Sequence, residues 1–232
     1  MNPPIRIISS MATKALLAEL AALYTAEHGV VIHLESVGGV DAAKRVQAGE
    51  AFDGVVLASD AIDKLIAAGH VVHGSRVDLV HSGVAVAVRA GALRPDISTE
   101  AALRSTVLAA ASISCSTGPS GVQLARLFER WGIAEQIAQR LVQAPPGVPV
   151  GSLVALGQVA LGFQQRPEMM NLPGIDVLGP LPDAVQIITT FSAGLAALSV
   201  QAAATQTFFD FMASAAVADV KQRQGMVAVL SA

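Results

Sequence analysis

Small and hydroxyl-bearing residues are concentrated in the stretch STGPSGVQLARLFERWG, where a turn meets an amphipathic helix. The hydroxyls of Thr117 and Ser120 and the glycine at Gly121 lie around the predicted start of that helix. The first N–H groups of a helix have no partner within it, and small residues let the backbone approach a ligand closely. The pattern predicts an anion site at these three residues, with a plain helix cap as the alternative.

Two further groups of small residues follow predicted strands in the first part of the chain. Ser9 and Ser10 end a β-rich run, and Gly38 and Gly39 separate the run VVIHLES from the next helix. In a parallel sheet covered by helices, ligands bind beyond the carboxyl ends of the strands. We therefore expect these four residues to contact a ligand. The alternatives are a helix cap at Ser10 and a tight turn at the two glycines.

The elements that would hold these residues alternate between strand and helix. Three β-rich runs, IRIIS, VVIHLES and GVVLAS, are each followed by a helical pattern, and the last of these helices ends near Gly69. Such an order predicts an α/β fold, in which helices cover both faces of a parallel sheet.

A second α/β unit is predicted from Val84 onward. Its expected elements are a fresh strand over 83–91, a helix over 99–108, a strand over 113–116, the helix after the Ser/Gly-rich turn, the Pro/Gly-rich loop APPGVPVG, a helix over 152–162, and strands at GFQQR and GIDVLG.

The chain then returns through the β-branched run Ile187–Thr190 to two last helices that have no strands of their own. This return predicts a discontinuous first lobe, residues 1–83 and 190–232, and a second lobe, residues 84–189. Two chain crossings make a hinge beside a cleft, which is a common place for a small ligand.

Composition excludes several classes of protein. With 53% apolar and 14% charged residues the chain is globular. A net charge of −3 without a basic stripe excludes a nucleic-acid partner, and the longest apolar run, Val107–Cys115, is too short for membrane insertion. The N-terminus has no secretion-signal pattern, which predicts a cytoplasmic protein, or a periplasmic one if a leader preceded this sequence.

Metal and thiol chemistry are not expected. The single cysteine, Cys115, lies in an apolar run typical of a buried strand. The five histidines include no HExxH motif and no Cys/His pair, although His70 and His73 share a glycine-flanked loop. We therefore expect neither a metal nor a cofactor.

Several segments occur in an informative order: Ser9-Ser10 with TKALLAELAALYTAEHG, AAKRVQAGEAFDGVVLASD, Pro119–Gly121, ALGQVALGF and GMVAV. This order, over most of the chain, resembles the type 2 periplasmic solute-binding fold, and within it the molybdate-binding proteins of ABC importers. The resemblance implies two α/β domains joined by a two-strand hinge. It also implies an ABC transporter permease as partner if the native protein is exported.

In the molybdate-binding proteins, two serines, a backbone group at a helix start and a tyrosine surround a tetrahedral oxyanion. By position, the first serine matches Ser10 or its neighbours. The second falls in Val37–Val40, which has no hydroxyl, and the tyrosine falls at about Gln165. Two of the four positions therefore lack the family's side chains.

The altered positions favour a different anion. Gln164, Gln165 and Arg166 carry planar amide and guanidinium donors, and a guanidinium fork matches a carboxylate better than a compact oxyanion. We therefore expect these three residues to contact a small di- or tricarboxylate.

The segment LPGIDVLGPLPDAVQ resembles a related branch, the aconitate isomerases, which move a double bond by proton transfer. The resulting hypothesis is an isomerase or tautomerase that makes a 1,3-proton shift on an unsaturated carboxylate. The alternative is the molybdate- or oxyanion-binding component of an ABC importer. Proton transfer needs a base, and the candidates near predicted strand ends are Glu35, Asp41 and Glu168, with Lys14 in the first helix.

Overall fold

The computed structural model describes residues 3–145 and 147–229 and divides the chain into two compact units. The first unit consists of the chain up to Ser82 together with the chain from Thr190 onward, and the second is Gly83–Thr189. The ends of the predicted first lobe, residues 1–2 and 230–232, lie outside the described residues, as does Pro146 of the Pro/Gly-rich loop. Within residues 3–145 and 147–229, no helix is long and apolar enough to cross a bilayer.

The first unit begins with three strand–helix pairs. In chain order they are β1 (Ile5–Ser10), α1 (Lys14–His28), β2 (Ile32–Val37), α2 (Gly39–Gln47), β3 (Gly54–Ala58) and α3 (Ser59–Ala67). β1 lies between β2 and β3 and pairs in parallel with both, with Ser9 opposite Ser36 on one side and Val56 on the other. The carboxyl ends of all three strands therefore meet at one edge of the sheet, as the alternation predicts.

One long strand, β4 (Val77–Arg89), carries the chain from the first unit into the second. The prediction of a fresh strand beginning at Gly83 is wrong, because the strand begins at Val77 and passes through this glycine. In the second unit, a Cβ on Gly83 would lie 3.1 Å from Nε2 of Gln186, so the glutamine side chain fills the space beside the glycine. The Gln186 Oε1 atom also accepts a hydrogen bond from the N–H of Val84 at 3.1 Å.

The second unit continues with further α-helices and strands. They are α4 (Glu100–Ala109), β5 (Ile113–Cys115), α5 (Pro119–Arg130), α6 (Ala134–Ile137), β6 (Leu141–Gln143), α7 (Val150–Ala155), β7 (Leu161–Gln165), α8 (Arg166–Met169) and β8 (Ile175–Pro180). β5 lies between β6 and β7 and is parallel to both, while β4 pairs in antiparallel fashion with β7 and β8. The carboxyl ends of β5, β6 and β7 therefore also meet at one edge.

The predicted helix over 152–162 is too long, because α7 ends at Ala155 and β7 begins at Leu161. The cause is Gly157, whose φ of +72° is left-handed and ends the helix. α6 and β6 are additional elements that the sequence pattern did not predict.

The last stretch of chain completes the first unit with β9 (Ile188–Leu195), α9 (Ala202–Ala213), α10 (Ala218–Arg223) and β10 (Val227–Ala228). β9 pairs antiparallel with β3 through Phe191–Leu195, and β10 pairs with the beginning of β4. α9 buries Phe208, Phe209 and Met212 in the cluster that also contains Ile7. The last helices therefore cover a sheet that begins far away in sequence.

Each sheet is buried on both faces, which fixes the direction of the side chains at its carboxyl edge. On β1, Ile7 packs with residues of α1 and α9, whereas Ile8 packs with residues of α2 and α3. Because successive side chains of a strand point to opposite faces, Ser9 lies on the α1 face and Ser10 on the α2 face.

Candidate functional site

Four of the predicted residues lie at the carboxyl edge of the first unit. Ser9 is fully buried, and its Oγ lies 2.8 Å from Oγ of Ser36 on the neighbouring strand. Ser10, on the other face, has its Oγ 3.5 Å from Oγ1 of Thr13, and the Thr13 hydroxyl donates to the Ser10 carbonyl at 3.1 Å. Among the described residues, the hydroxyl of Ser10 does not cap the helical turn that follows it.

The start of α2 packs beside Ser10. A Cβ on Gly39 would lie 3.7 Å from the Cβ of Ser10, which is ordinary contact distance. Gly38 is the N-cap residue, and no described side chain caps the helix there. α3 likewise begins after Ala58 without a side-chain cap from the described part of the chain. The uncapped start of α2, with its partial positive charge, thus lies beside Ser10, and the uncapped start of α3 follows β3, which pairs with β1.

The corresponding edge of the second unit contains the Ser/Gly-rich turn before α5. Gly118 is the N-cap residue, and across the described chain no side chain caps this helix. Pro119 has no N–H, and the N–H of Gly121 bonds to the Gly118 carbonyl at 3.0 Å. The N–H of Ser120 is therefore the open donor of the first turn among the described groups.

The hydroxyls of this turn face one another and not the helix. Ser120 is buried, and its Oγ lies 3.4 Å from Oγ of Ser116. Thr117 is exposed. The alternative that serine or threonine simply caps α5 with its side chain is therefore wrong, because the cap position belongs to a glycine.

At the end of β7, the two glutamines have different surroundings. Gln164 accepts a hydrogen bond from the N–H of Gly151 at 3.2 Å and donates to Glu168 at 2.7 Å, so both ends of its amide are engaged. Gln165 is also buried and donates to Oγ1 of Thr189 at 2.8 Å. Its Oε1 has no hydrogen-bond partner among the described residues. Arg166 is exposed.

Glu168 differs from the other candidate bases. It is half-buried in α8, and burial raises its pKa to about 7, with the hydrogen bond from Gln164 acting in the opposite direction. Glu35, by contrast, is bound by two arginines, with one of its oxygens 2.7 Å from Nη2 of Arg45 and the other 3.6 Å from Nη2 of Arg6. Asp41 lies in the first turn of α2, and Lys14 is exposed at the start of α1.

Three polar residues at these edges lie outside the ten predicted site residues: Ser36, Thr13 and Thr189. Each lies within hydrogen-bonding distance of a predicted residue, respectively Ser9, Ser10 and Gln165. Ser36 immediately precedes Val37–Val40, and its position at the end of VVIHLES is the sequence signal that marks it.

Metal and thiol chemistry find no support in the described residues. No group of three His, Cys, Asp or Glu residues there could hold a metal ion. The Cys115 thiol is buried, and burial raises its pKa, which disfavours the reactive thiolate.

An open groove in the first unit lies between α1 and β2, away from the carboxyl edge, and is lined by alanines with Ile32 and Leu34.

Comparisons with known proteins agree with this architecture. The family model described as bacterial extracellular solute-binding protein matches residues 5–227. An aconitate isomerase from a Pseudomonas species is 35% identical over 226 residues, which covers 95% of this chain and 86% of that protein.

Solved structures show the same fold. The periplasmic molybdate-binding protein of Azotobacter vinelandii has a TM-score of 0.80 and 18% identity, covering 98% of this chain and 100% of that one. The tungstate-binding protein TupA of Desulfovibrio alaskensis has a TM-score of 0.71 and 17% identity, covering 99% of this chain and 100% of that one. The α/β fold and the resemblance to both branches predicted from the sequence are confirmed.

Proposed function

We propose that this chain, which belongs to the bacterial extracellular solute-binding protein family, binds a small di- or tricarboxylate and isomerises it by a 1,3-proton shift. The observation that carries anion binding is the pair of carboxyl edges, one in each unit, at which uncapped helix starts lie beside buried hydroxyls. Such helix starts attract anions through open N–H groups and the helix dipole.

The first unit supplies one anion-binding edge. Ser10 and the open N–H groups after Gly38 and Gly39 would hold one carboxylate. Ser9 belongs to this edge through its hydroxyl contact with Ser36. Because hydroxyls and backbone N–H groups carry no net charge, they stabilise a bound carboxylate without a competing counter-ion.

The second unit supplies the other edge. Thr117, Ser120 and Gly121 lie around the start of α5, Gln165 ends the adjacent strand β7, and Arg166 begins α8. Gln164, whose amide is engaged at both ends by Gly151 and Glu168, does not serve as a ligand donor here. An amide and a guanidinium are planar donors suited to the two oxygens of a carboxylate. The 35% identity to an aconitate isomerase supports a tricarboxylate as the ligand.

The isomerisation step follows from the chemistry of such a ligand. A CH₂ group between a carboxylate and a carbon–carbon double bond loses a proton to a base, and the electron pair of that C–H bond delocalises over the three-carbon unit. A proton then adds at the far carbon, so that one C–H bond is broken, another is formed and the double bond moves. The 35% identity to an aconitate isomerase supports this reaction.

The second candidate function is oxyanion binding for an ABC importer, with a permease as partner and a periplasmic location. The observation that favours it is the hydroxyl pair Ser9–Ser36 beside Ser10, because hydroxyls suit a compact tetrahedral oxyanion. The fold shared with the molybdate-binding protein agrees with either candidate.

The experiment is a paired assay of turnover and binding. Purified protein is incubated with cis-aconitate and with trans-aconitate, and the products are followed by proton NMR. Titration calorimetry measures the binding of molybdate and of tricarballylate, a saturated tricarboxylate that cannot isomerise. Conversion of either isomer supports the proposed enzyme. Saturable tricarballylate binding without conversion leaves a carboxylate receptor. Binding of molybdate alone overturns the carboxylate proposal in favour of the importer component.

A further inference from the structure

We propose that Glu168 is the residue that carries the proton in this isomerisation, and that Gln164 positions its carboxyl group. The inference rests on the proposed function and adds the catalytic base that the sequence alone did not identify. In the second unit, the carboxyl group of Glu168, the side chain of Gln164 and the end of β7 lie together.

The position of Glu168 suits the role. It lies in the short helix directly after β7, three residues beyond Gln165, at the edge where ligands bind in this class of sheet. A base must reach the substrate's C–H group from this edge. The residue is half-buried, so it is partly shielded from water and partly accessible.

The orientation of the carboxyl group is fixed by a chain of two hydrogen bonds. The N–H of Gly151 donates to Oε1 of Gln164 at 3.2 Å, and Nε2 of Gln164 donates to Oε1 of Glu168 at 2.7 Å. The first bond settles which end of the Gln164 amide faces Glu168, because a backbone N–H requires an acceptor. One carboxyl oxygen is thus held, and Oε2 has no hydrogen-bond partner among the described residues.

The electrostatic environment leaves this carboxyl group basic. The described residues show no ion pair to Glu168, whereas Glu35 is neutralised by Arg45 and Arg6. Burial raises the pKa of Glu168 to about 7, so the group is a stronger base than an ordinary carboxylate and gives the proton back readily near neutral pH.

The test is the isosteric substitution Glu168→Gln, because the glutamine Oε1 can still accept the hydrogen bond from Gln164. The matched control is Glu135→Gln, the same change at an exposed position of the same unit. Isomerisation of aconitate, exchange of the allylic protons in D₂O and binding of tricarballylate are measured for all three proteins, with thermal unfolding as the check of folding.

We expect Glu168→Gln to lower kcat by about 10²- to 10⁴-fold and to abolish allylic exchange, with tricarballylate affinity changed by no more than a few-fold. Gln164→Leu should lower kcat with KM little changed, because it releases the carboxyl group without removing it. Glu135→Gln should behave as the wild type.

Three results would overturn the inference. Wild-type kcat and exchange in Glu168→Gln would show that another group moves the proton, while leaving the proposed function intact. Parallel loss of turnover and of tricarballylate binding would assign Glu168 to ligand binding. A wild-type protein that binds tricarballylate but converts neither isomer and exchanges no protons would remove the proposed isomerase and this residue's role together.

Discussion

A Cβ atom added to Gly121 would lie 1.8 Å from the carbonyl oxygen of Ser116. The glycine therefore lets the Ser/Gly-rich turn fold tightly against the first turn of α5, because no other residue type leaves room for that carbonyl group. The obstacle is backbone, so a rotamer change cannot relieve it.

Gly121→Ala should accordingly displace the start of α5, destabilise the protein by about 1–3 kcal/mol and weaken anion binding. Gly118→Ala is the matched control, since a Cβ there approaches only the Ser116 hydroxyl, at 3.7 Å, and should cost no more than about 1 kcal/mol. Urea unfolding measures both changes. Equal stability of the two variants would show that the turn tolerates the extra atom.

Thr117→Glu should weaken binding of tricarballylate at least tenfold, because it adds a negative charge beside the open helix start. The position is exposed, so the side chain can be accommodated without repacking. High salt should reduce the loss by screening the added charge. Ser105→Glu, at an exposed position of α4, is the control and should bind as the wild type does; calorimetry that finds the two variants alike would argue against an anion at this turn.

Gln165→Glu should also weaken binding at least tenfold while preserving the fold. The new carboxylate keeps the shape of the amide and can accept a hydrogen bond from the Thr189 hydroxyl, to which Gln165 donates at 2.8 Å. It also places a negative charge where the proposal expects the ligand. Gln136→Glu makes the same change at an exposed residue of α6 in the same unit and should be neutral. Undiminished affinity in Gln165→Glu would remove this residue from the site.

Lys221→Met should stabilise the protein at neutral pH. Lys221 is 1% exposed, and its Nζ has no hydrogen-bond partner among the described residues, so burial lowers its pKa below the ordinary value of 10.5. At pH values between the lowered pKa of the folded state and 10.5, Lys221 is protonated in the unfolded chain and neutral in the folded protein. The free energy of unfolding of the wild type therefore rises with pH in this window. The slope is about 1.4 kcal/mol per pH unit within that window.

Thermal unfolding of both proteins between pH 7 and pH 10 measures this effect. The advantage of Lys221→Met over the wild type should shrink as pH rises and should be largest at the lower end of the range. An advantage independent of pH would mean that the lysine is equally protonated in the folded and unfolded states.

Much of the fold could be predicted because its signals are local. The leucine spacing in α1, the apolar run of β3 and the left-handed Gly29 that ends α1 depend on neighbouring residues only. The beginning of β4 could not be predicted in this way. Gly83 is typical of a turn, and the strands that pair with β4 on either side of it, β10 at Val80 and His81 and β7 from Val84 onward, are distant in sequence.

The residues of the candidate site also differ in whether local sequence signals identify them. The position of Ser10, Gly38 and Gly39 at one edge could be predicted because they end or follow strands whose carboxyl ends must share that edge. The pairing of Ser36 with Ser9 required the register of β1 and β2. Glu168 was one of four equal candidates from the sequence, and its burial and its contact with Gln164 are tertiary properties.

The first unit is assembled from both ends of the chain, and this has a consequence for biogenesis. When the ribosome has produced residues up to Ser82, the edge of β3 that pairs with β9 is open, and the face of β1 that carries Ile7 lacks α9. The second unit, whose chain is continuous, is synthesised in full before the C-terminal segment that covers these surfaces. Apolar surface of the N-terminal segment therefore stays uncovered during synthesis until β9 and α9 have been made.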